Sequence, residues 1–182
     1  MGGIISKYNG TDEYNVLFVG LDGSGKSSIL YHFLGLGKDT TKIPVLCSFT
    51  ESVSYKNIQF TSYDLGGDKG PFGQDDLFQK TSAIVFVLDA SDPLRLDQSR
   101  IELTKLLNNE HLQTASEIVL ILANKMDRPD AMTIDQIRTI LLDHPSIVDC
   151  AIKPTIGNNP EIGKDGFIDA MNWLINKLEN KS

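Results

Sequence analysis

The chain has 182 residues, 41% of them hydrophobic and 23% charged, which bounds it as a single globular domain with a full-sized core. Its formal charge of −7 excludes a broad nucleic-acid surface, since phosphate backbones select basic proteins, but leaves room for one bound nucleotide held by a few local charges. The longest apolar runs, Ala83–Leu88 and Ile118–Ala123, are six residues each, far short of the roughly 20 that span a bilayer. No secretory h-region, repeat or linker interrupts the chain, and Cys47 and Cys150 follow no metal or redox spacing, so a reduced, cytoplasmic compartment is expected.

Short β-branched runs alternate with longer helical patterns. Tyr14–Val19 reads as a strand, followed by a glycine-rich loop and a helix from Ser27 to about Phe33. Thr50–Tyr55 and Gln59–Asp64 flank a hairpin turn. Ala83–Asp89 is an apolar strand, then a helix runs from about Pro93 to Asn109. Ile118–Ala123 is a second buried strand, and Thr133–Leu142 is helical with Thr133 as N-cap. A last helix places Phe167, Ala170, Met171, Leu174 and Leu178 on one face. Strands buried on both sides and separated by helices predict an α/β fold, mostly parallel, with the hairpin adding one antiparallel edge. Ligands of such sheets bind where the strands end at their carboxyl side, so the loops after Val19, Tyr63, Leu88 and Ala123 are the informative ones.

The first of these loops is Gly20-Leu21-Asp22-Gly23-Ser24-Gly25-Lys26-Ser27, with Ser28 beside it in the helix; it fits G-x-x-x-x-G-K-[ST]. Glycines let backbone N–H groups curl around phosphate oxygens, and the helix start adds positive dipole. Lys26 would reach the β- and γ-phosphates and the Ser27 hydroxyl would ligate Mg²⁺. The loop after Ile118–Ala123 is Asn124-Lys125-Met126-Asp127. The Asp127 carboxylate can accept both edge hydrogens of guanine, a pair that adenine lacks, and a buried charge left unpaired rejects the wrong base. Asn124 would tie this loop to the phosphate loop, and the Lys125 stem would cover one ring face. The third loop is Asp64-Leu65-Gly66-Gly67, in which Asp64 would hold a Mg²⁺ water and a glycine N–H would meet the γ-phosphate.

These loops, in this order and spacing, resemble a Ras-like small GTPase, and "GLD", "YKNI" and "LANKMD" look specifically like the Arf/Arl family. Gly2 with Ser6 fits M-G-x-x-x-[ST], the myristoylation pattern, and residues 1–10 carry a short apolar face of Ile4, Ile5 and Tyr8 ahead of a single GTPase domain at 11–182. The resemblance implies a six-stranded Ras-like P-loop domain that binds GTP or GDP with Mg²⁺. It implies a monomeric switch serving membrane traffic, with an exchange factor, a GTPase-activating protein and effectors as partners. Its place would be the cytoplasmic side of Golgi or other endomembranes. One acyl chain binds membrane with K of only about 10⁴ M⁻¹, so attachment would be reversible.

Two departures fall on the switch. In the family register Val45 stands where a threonine ligates Mg²⁺. A hydrogen bond to a charged group is worth about 1.5–3 kcal/mol, so its loss weakens the preference for GTP by roughly ten- to a hundredfold. Thr41 or Ser48 would substitute only along a different loop path. Asp68 follows Gly67 where the family has the glutamine that orients water; the spacing to Phe78-Gln79 is one residue short of the family's, which fits a deletion of that glutamine as well as its replacement, and Gln74 lies nearby. A carboxylate about 4 Å from a phosphate charge is repelled by roughly 4 kcal/mol at an effective dielectric near 20, so Asp68 is a poor replacement and intrinsic hydrolysis is expected to be slow; catalysis would rest on Lys26 and Gly67. Ser48, Tyr63 and Leu77 occupy positions where Arf proteins carry three aromatics. The base-supporting loop is expected near Thr155–Gly157, within a segment that is longer than the family's. The rival reading is a nucleotide-dependent binding module that hardly hydrolyses. A P-loop kinase or ATPase would have no guanine loop.

Overall fold

The computed structural model describes residues 13–34, 51–65, 75–113, 115–141 and 149–181. Among these, six strands form one sheet: β1 (Tyr14–Leu21), β2 (Glu51–Tyr55), β3 (Ile58–Leu65), β4 (Thr81–Asp89), β5 (Ile118–Asn124) and β6 (Asp149–Pro154). Their order is β2-β3-β1-β4-β5-β6. Every pairing is parallel except β2 with β3, which is antiparallel, as the hairpin pattern predicts. The helices are α1 (Lys26–Phe33), α2 (Asp75–Gln79), α3 (Leu96–Leu107), α4 (Ile134–Leu141) and α5 (Pro160–Lys181). None of them is long and apolar enough to cross a membrane.

The sheet is covered on both faces because its central strands are apolar on both faces. All seven residues of β5 are buried. The two-residue period of β1 splits the core into two layers. Leu17, Val19 and Leu21 pack with Leu103, Leu106 and Ile137 of α3 and α4. Val16 and Phe18 pack with Ile29 and Leu30 of α1 and with Met171 and Leu174 of α5. Phe33 stacks on Phe167 at 4.8 Å and joins the two helices of that layer. The central strand β1 lies between β3 and β4, so the loop after it opens where the chain order reverses, the position at which such sheets place ligands.

Several boundaries differ from expectation for local reasons. The β1 strand continues to Leu21, because Gly20 stays in register with Asp64 of β3 and Val87 of β4. A Cβ on Gly20 would sit 2.2 Å from the Val87 carbonyl, so glycine is the residue that lets the strand persist there. The predicted helix from Pro93 opens as a 3-10 turn over Pro93–Arg95 before α3 begins. Thr133 caps α4 as predicted, in a reciprocal box: the Gln136 N–H donates to Thr133 Oγ1 at 3.3 Å and the Thr133 N–H donates to Gln136 Oε1 at 2.8 Å. The strand β6 and the five-residue helix α2 are absent from the chain-order reading.

Candidate functional site

The loop between β1 and α1 is held from outside by its carbonyls. Lys26 Nζ donates to the carbonyls of Gly20 at 2.9 Å and Leu21 at 2.8 Å, and to Ser24 Oγ at 3.3 Å. Arg95 Nη1 donates to the Asp22 carbonyl at 3.0 Å, Lys125 Nζ to the Gly23 carbonyl at 2.8 Å, and Asn124 Nδ2 to the Ser24 carbonyl at 2.9 Å. Five consecutive carbonyls are thus engaged by side chains from three parts of the chain. Gly23 and Gly25 have φ of 72° and 95°, in the left-handed region that glycine enters without strain. The first N–H groups of α1 have no intrahelical partner by geometry and carry the positive end of its dipole.

Lys26 is 5% exposed and pairs with Asp64 Oδ1 at 2.7 Å. Burial lowers its pKa from the usual lysine value, and the Asp64 carboxylate opposes that shift. The buried ammonium is thus held by one exposed carboxylate and by loop oxygens, a position from which an anion in the cleft could exchange with Asp64.

The second loop is fixed to the first. Asn124 is 2% exposed, and besides its bond to Ser24 its Oδ1 accepts from the Gly157 N–H at 2.8 Å. A Cβ on Gly25 would lie 2.2 Å from Asn124 Nδ2, and one on Gly157 would lie 2.6 Å from Ile29 Cγ1, so both glycines make room for this junction. Thr155 is buried and its N–H bonds the Ala123 carbonyl at 2.8 Å. Lys125, at φ 64°, also pairs with Asp89. Burial works against the ionised form of Asp89, but Lys125 and Ser91 outweigh it and hold the carboxyl below its ordinary value.

A cleft of about 430 Å³ opens over these loops, lined by Asp22, Gly23, Gly25, Lys26, Ser27, Ser28, Asp64, Asn124, Lys125, Arg128 and Asn158. Ser27 and Asp64 bring a hydroxyl and a carboxylate to one cleft beside Lys26, an oxygen donor set that suits Mg²⁺ next to phosphate. Gly20, Leu21 and Ser24 support the loop from beneath, and Asp127 is exposed and does not line the cleft itself. Sequence reasoning missed Arg95, Arg128 and the cleft position of Asn158; Arg128 directly follows Asp127, but no motif marks it. Of the three positions compared with Arf aromatics, Tyr63 is buried and Leu77 half-buried, so the one retained aromatic packs into the core. Gly2, Ser48, Val45, Gly66, Gly67 and Asp68 lie outside the described residues. The sequence model of the ADP-ribosylation factor family matches residues 1–178.

Proposed function

The chain belongs to the ADP-ribosylation factor family and is a small GTPase domain of Ras-like α/β fold; from that premise we propose that it is a Mg²⁺-dependent GTP/GDP switch whose hydrolysis is slow. The observation that carries the reading is the Asn124 junction, which ties the loop after β5 to the loop after β1 and to Gly157 at one cleft. In this reading Lys26 would meet the β- and γ-phosphates, Ser27 would ligate the magnesium ion with Asp64 holding one of its waters, and a glycine N–H after Leu65 would meet the γ-phosphate. Asp127, exposed between the cleft-lining Lys125 and Arg128, would read a guanine placed at that end of the cleft, and the Lys125 stem would cover the ring. Bound there, the ion would neutralise phosphate charge. Acylation at Gly2 gives reversible attachment to an endomembrane such as the Golgi, where exchange factors, activating proteins and effectors of the trafficking class act on the protein.

A second reading is favoured by two sequence positions. Val45 and Asp68 both remove side-chain chemistry that a full switch uses, while both binding loops are complete. The protein would then be a binding module held mainly in one nucleotide state. Paired titration with fluorescent GDP and a non-hydrolysable GTP analogue, with Mg²⁺ and with excess chelator, separates the two. Comparable Mg²⁺-dependent affinities support the switch; a GDP preference of about a hundredfold or more supports the module. Competition by ATP as effective as by GTP would overturn both.

A further inference from the structure

We infer that Arg95 is a positioning residue for the phosphate loop, fixing one peptide plane so that its N–H is presented to the nucleotide. The inference rests on the nucleotide reading above and adds a residue to it that no phosphate-loop pattern contains. Arg95 ends the 3-10 turn that follows β4, 73 residues from the loop it reaches. Its Nη1 donates to the Asp22 carbonyl at 3.0 Å, and its Nη2 pairs with the Asp22 carboxylate. Both bonds come from one planar fork, which fixes direction as well as distance. The same guanidinium lies 4.0 Å from where a Cβ on Gly23 would be, so it sits beside the Asp22–Gly23 peptide.

Peptide planarity turns this contact into a statement about the site. A trans peptide points its N–H opposite to its C=O, and the described residues contain no cis bonds. Holding the Asp22 carbonyl toward Arg95 therefore turns the Gly23 N–H away from it, and Gly23 lines the cleft. Gly23, at φ 72°, is a residue whose neighbouring peptide flips easily, so an external anchor has something to fix. Lys125 and Asn124 hold the next two carbonyls, so Arg95 completes a row. A second effect is electrostatic. The Asp22 side chain is 80% exposed and also lines the cleft, where an unopposed carboxylate would repel phosphate. Arg95 neutralises it.

A simple staple of the fold would behave differently. The Arg95 and Asp22 side chains are 35% and 80% exposed, and ion pairs that open to water contribute little to global stability. Arg95 should therefore act on nucleotide retention far more than on unfolding.

The test compares release of fluorescent GDP, in Mg²⁺, from the wild type and from Arg95→Ala, Arg95→Lys and Asp22→Ala, alongside thermal unfolding of each nucleotide-stripped protein. Arg95→Ala is expected to release GDP about tenfold faster, with the stripped protein melting within about 2 °C of wild type. Arg95→Lys should recover only part of the difference, because one ammonium cannot reproduce the two-pronged contact. Asp22→Ala, which keeps the carbonyl bond and removes the repelling carboxylate, should be milder than Arg95→Ala. Wild-type release from Arg95→Ala would overturn the inference, as would a loss of melting temperature that accounts for the faster release. If the wild type itself retained no guanine nucleotide, the nucleotide reading would fall first and this inference with it.

Discussion

Replacing Asn124 by alanine should destabilise the protein before any nucleotide is considered. Its amide is buried, with Nδ2 donating to the Ser24 carbonyl at 2.9 Å and Oδ1 accepting from the Gly157 N–H at 2.8 Å. Thr155 Oγ1 is a weaker third partner at 3.5 Å. Alanine leaves a carbonyl and an N–H in a tightly packed junction without partners, at about 1–3 kcal/mol each, for a total of about 2–6 kcal/mol. Urea unfolding of nucleotide-stripped protein isolates this cost, since bound nucleotide would otherwise add its own stabilisation by linkage. With a slope of about 2 kcal/mol per molar urea, the midpoint should fall by about 1 M or more at unchanged slope. Asn124→Asp sharpens the test. It keeps the acceptor for Gly157 but sets a buried negative oxygen against the Ser24 carbonyl, so it should cost at least as much as alanine. A midpoint shift under about 0.2 M for Asn124→Ala, or an Asp variant as stable as wild type, would refute the claim that this amide joins the loops.

Three further outcomes follow from single residues. Gly163→Ala in α5 would place a methyl 2.3 Å from the Ile156 carbonyl oxygen, and the helix or the loop must move. An overpacking cost of about 1–3 kcal/mol lowers the melting temperature by roughly 3–10 °C, whereas Ile162→Ala, at a side chain 66% exposed, should leave it within about 2 °C. Asp89 has a depressed pKa in the folded state, so its contribution is complete above the unfolded carboxylate value near 3.8 and is lost as pH falls through the lower folded value. Asp89→Asn should accordingly flatten the acid limb of a stability profile and leave the limb above pH 5 parallel to wild type. Burial pushes the Cys150 thiol up to about 12, with the Arg138 charge opposing. At pH 8 its thiolate is roughly a thousandfold scarcer than that of a free cysteine, so peptide mapping after brief iodoacetamide treatment should find Cys150 largely unmodified.

The sequence made legible whatever is written in local patterns. The continuous apolar runs of β4 and β5 announced buried parallel strands, and the two loops singled out by their spacing meet at one cleft. The strand β6 escaped because Asp-Cys-Ala-Ile-Lys-Pro buries little beyond Ile152 and lies at the sheet edge, where Pro154 is tolerated. Helix α2 is five residues long, too short to show a period. The glycines of α5 were a signal left unread. Gly163 and Gly166 sit inside a helix because the backbone carbonyls of Ile156 and Pro154 approach within 2.3 and 2.6 Å of where side chains would begin. Arg95 and Arg128 belong to no motif. A bond spanning 73 residues has no sequence signature until the sheet brings β4 beside β1.

The pairing of Lys26 with Asp64 bears on how the cleft treats its ligand. Their charges meet at 2.7 Å, one side chain 5% exposed and the other 59%. A magnesium nucleotide offers the opposite charge to each of them, phosphate to the lysine and the ion to the carboxylate. Binding of that kind would exchange the one ion pair for a phosphate–lysine contact and a carboxylate turned toward the ion's water shell. Phosphate alone would take Lys26 and leave Asp64 unpaired beside new negative charge, a like-charge arrangement costing roughly 4 kcal/mol at 4 Å in an effective dielectric near 20. Retention of the phosphates should then depend on the divalent ion even if Val45 withholds its side chain from it. The two sequence departures lie outside this exchange. They bear on whether the third phosphate is sensed and removed, and the frame built by Arg95, Asn124, Lys125 and Lys26 bears on whether any phosphate is held at all. On the proposed function, holding would rest on residues other than those at positions 45 and 68, so the two could be tested separately.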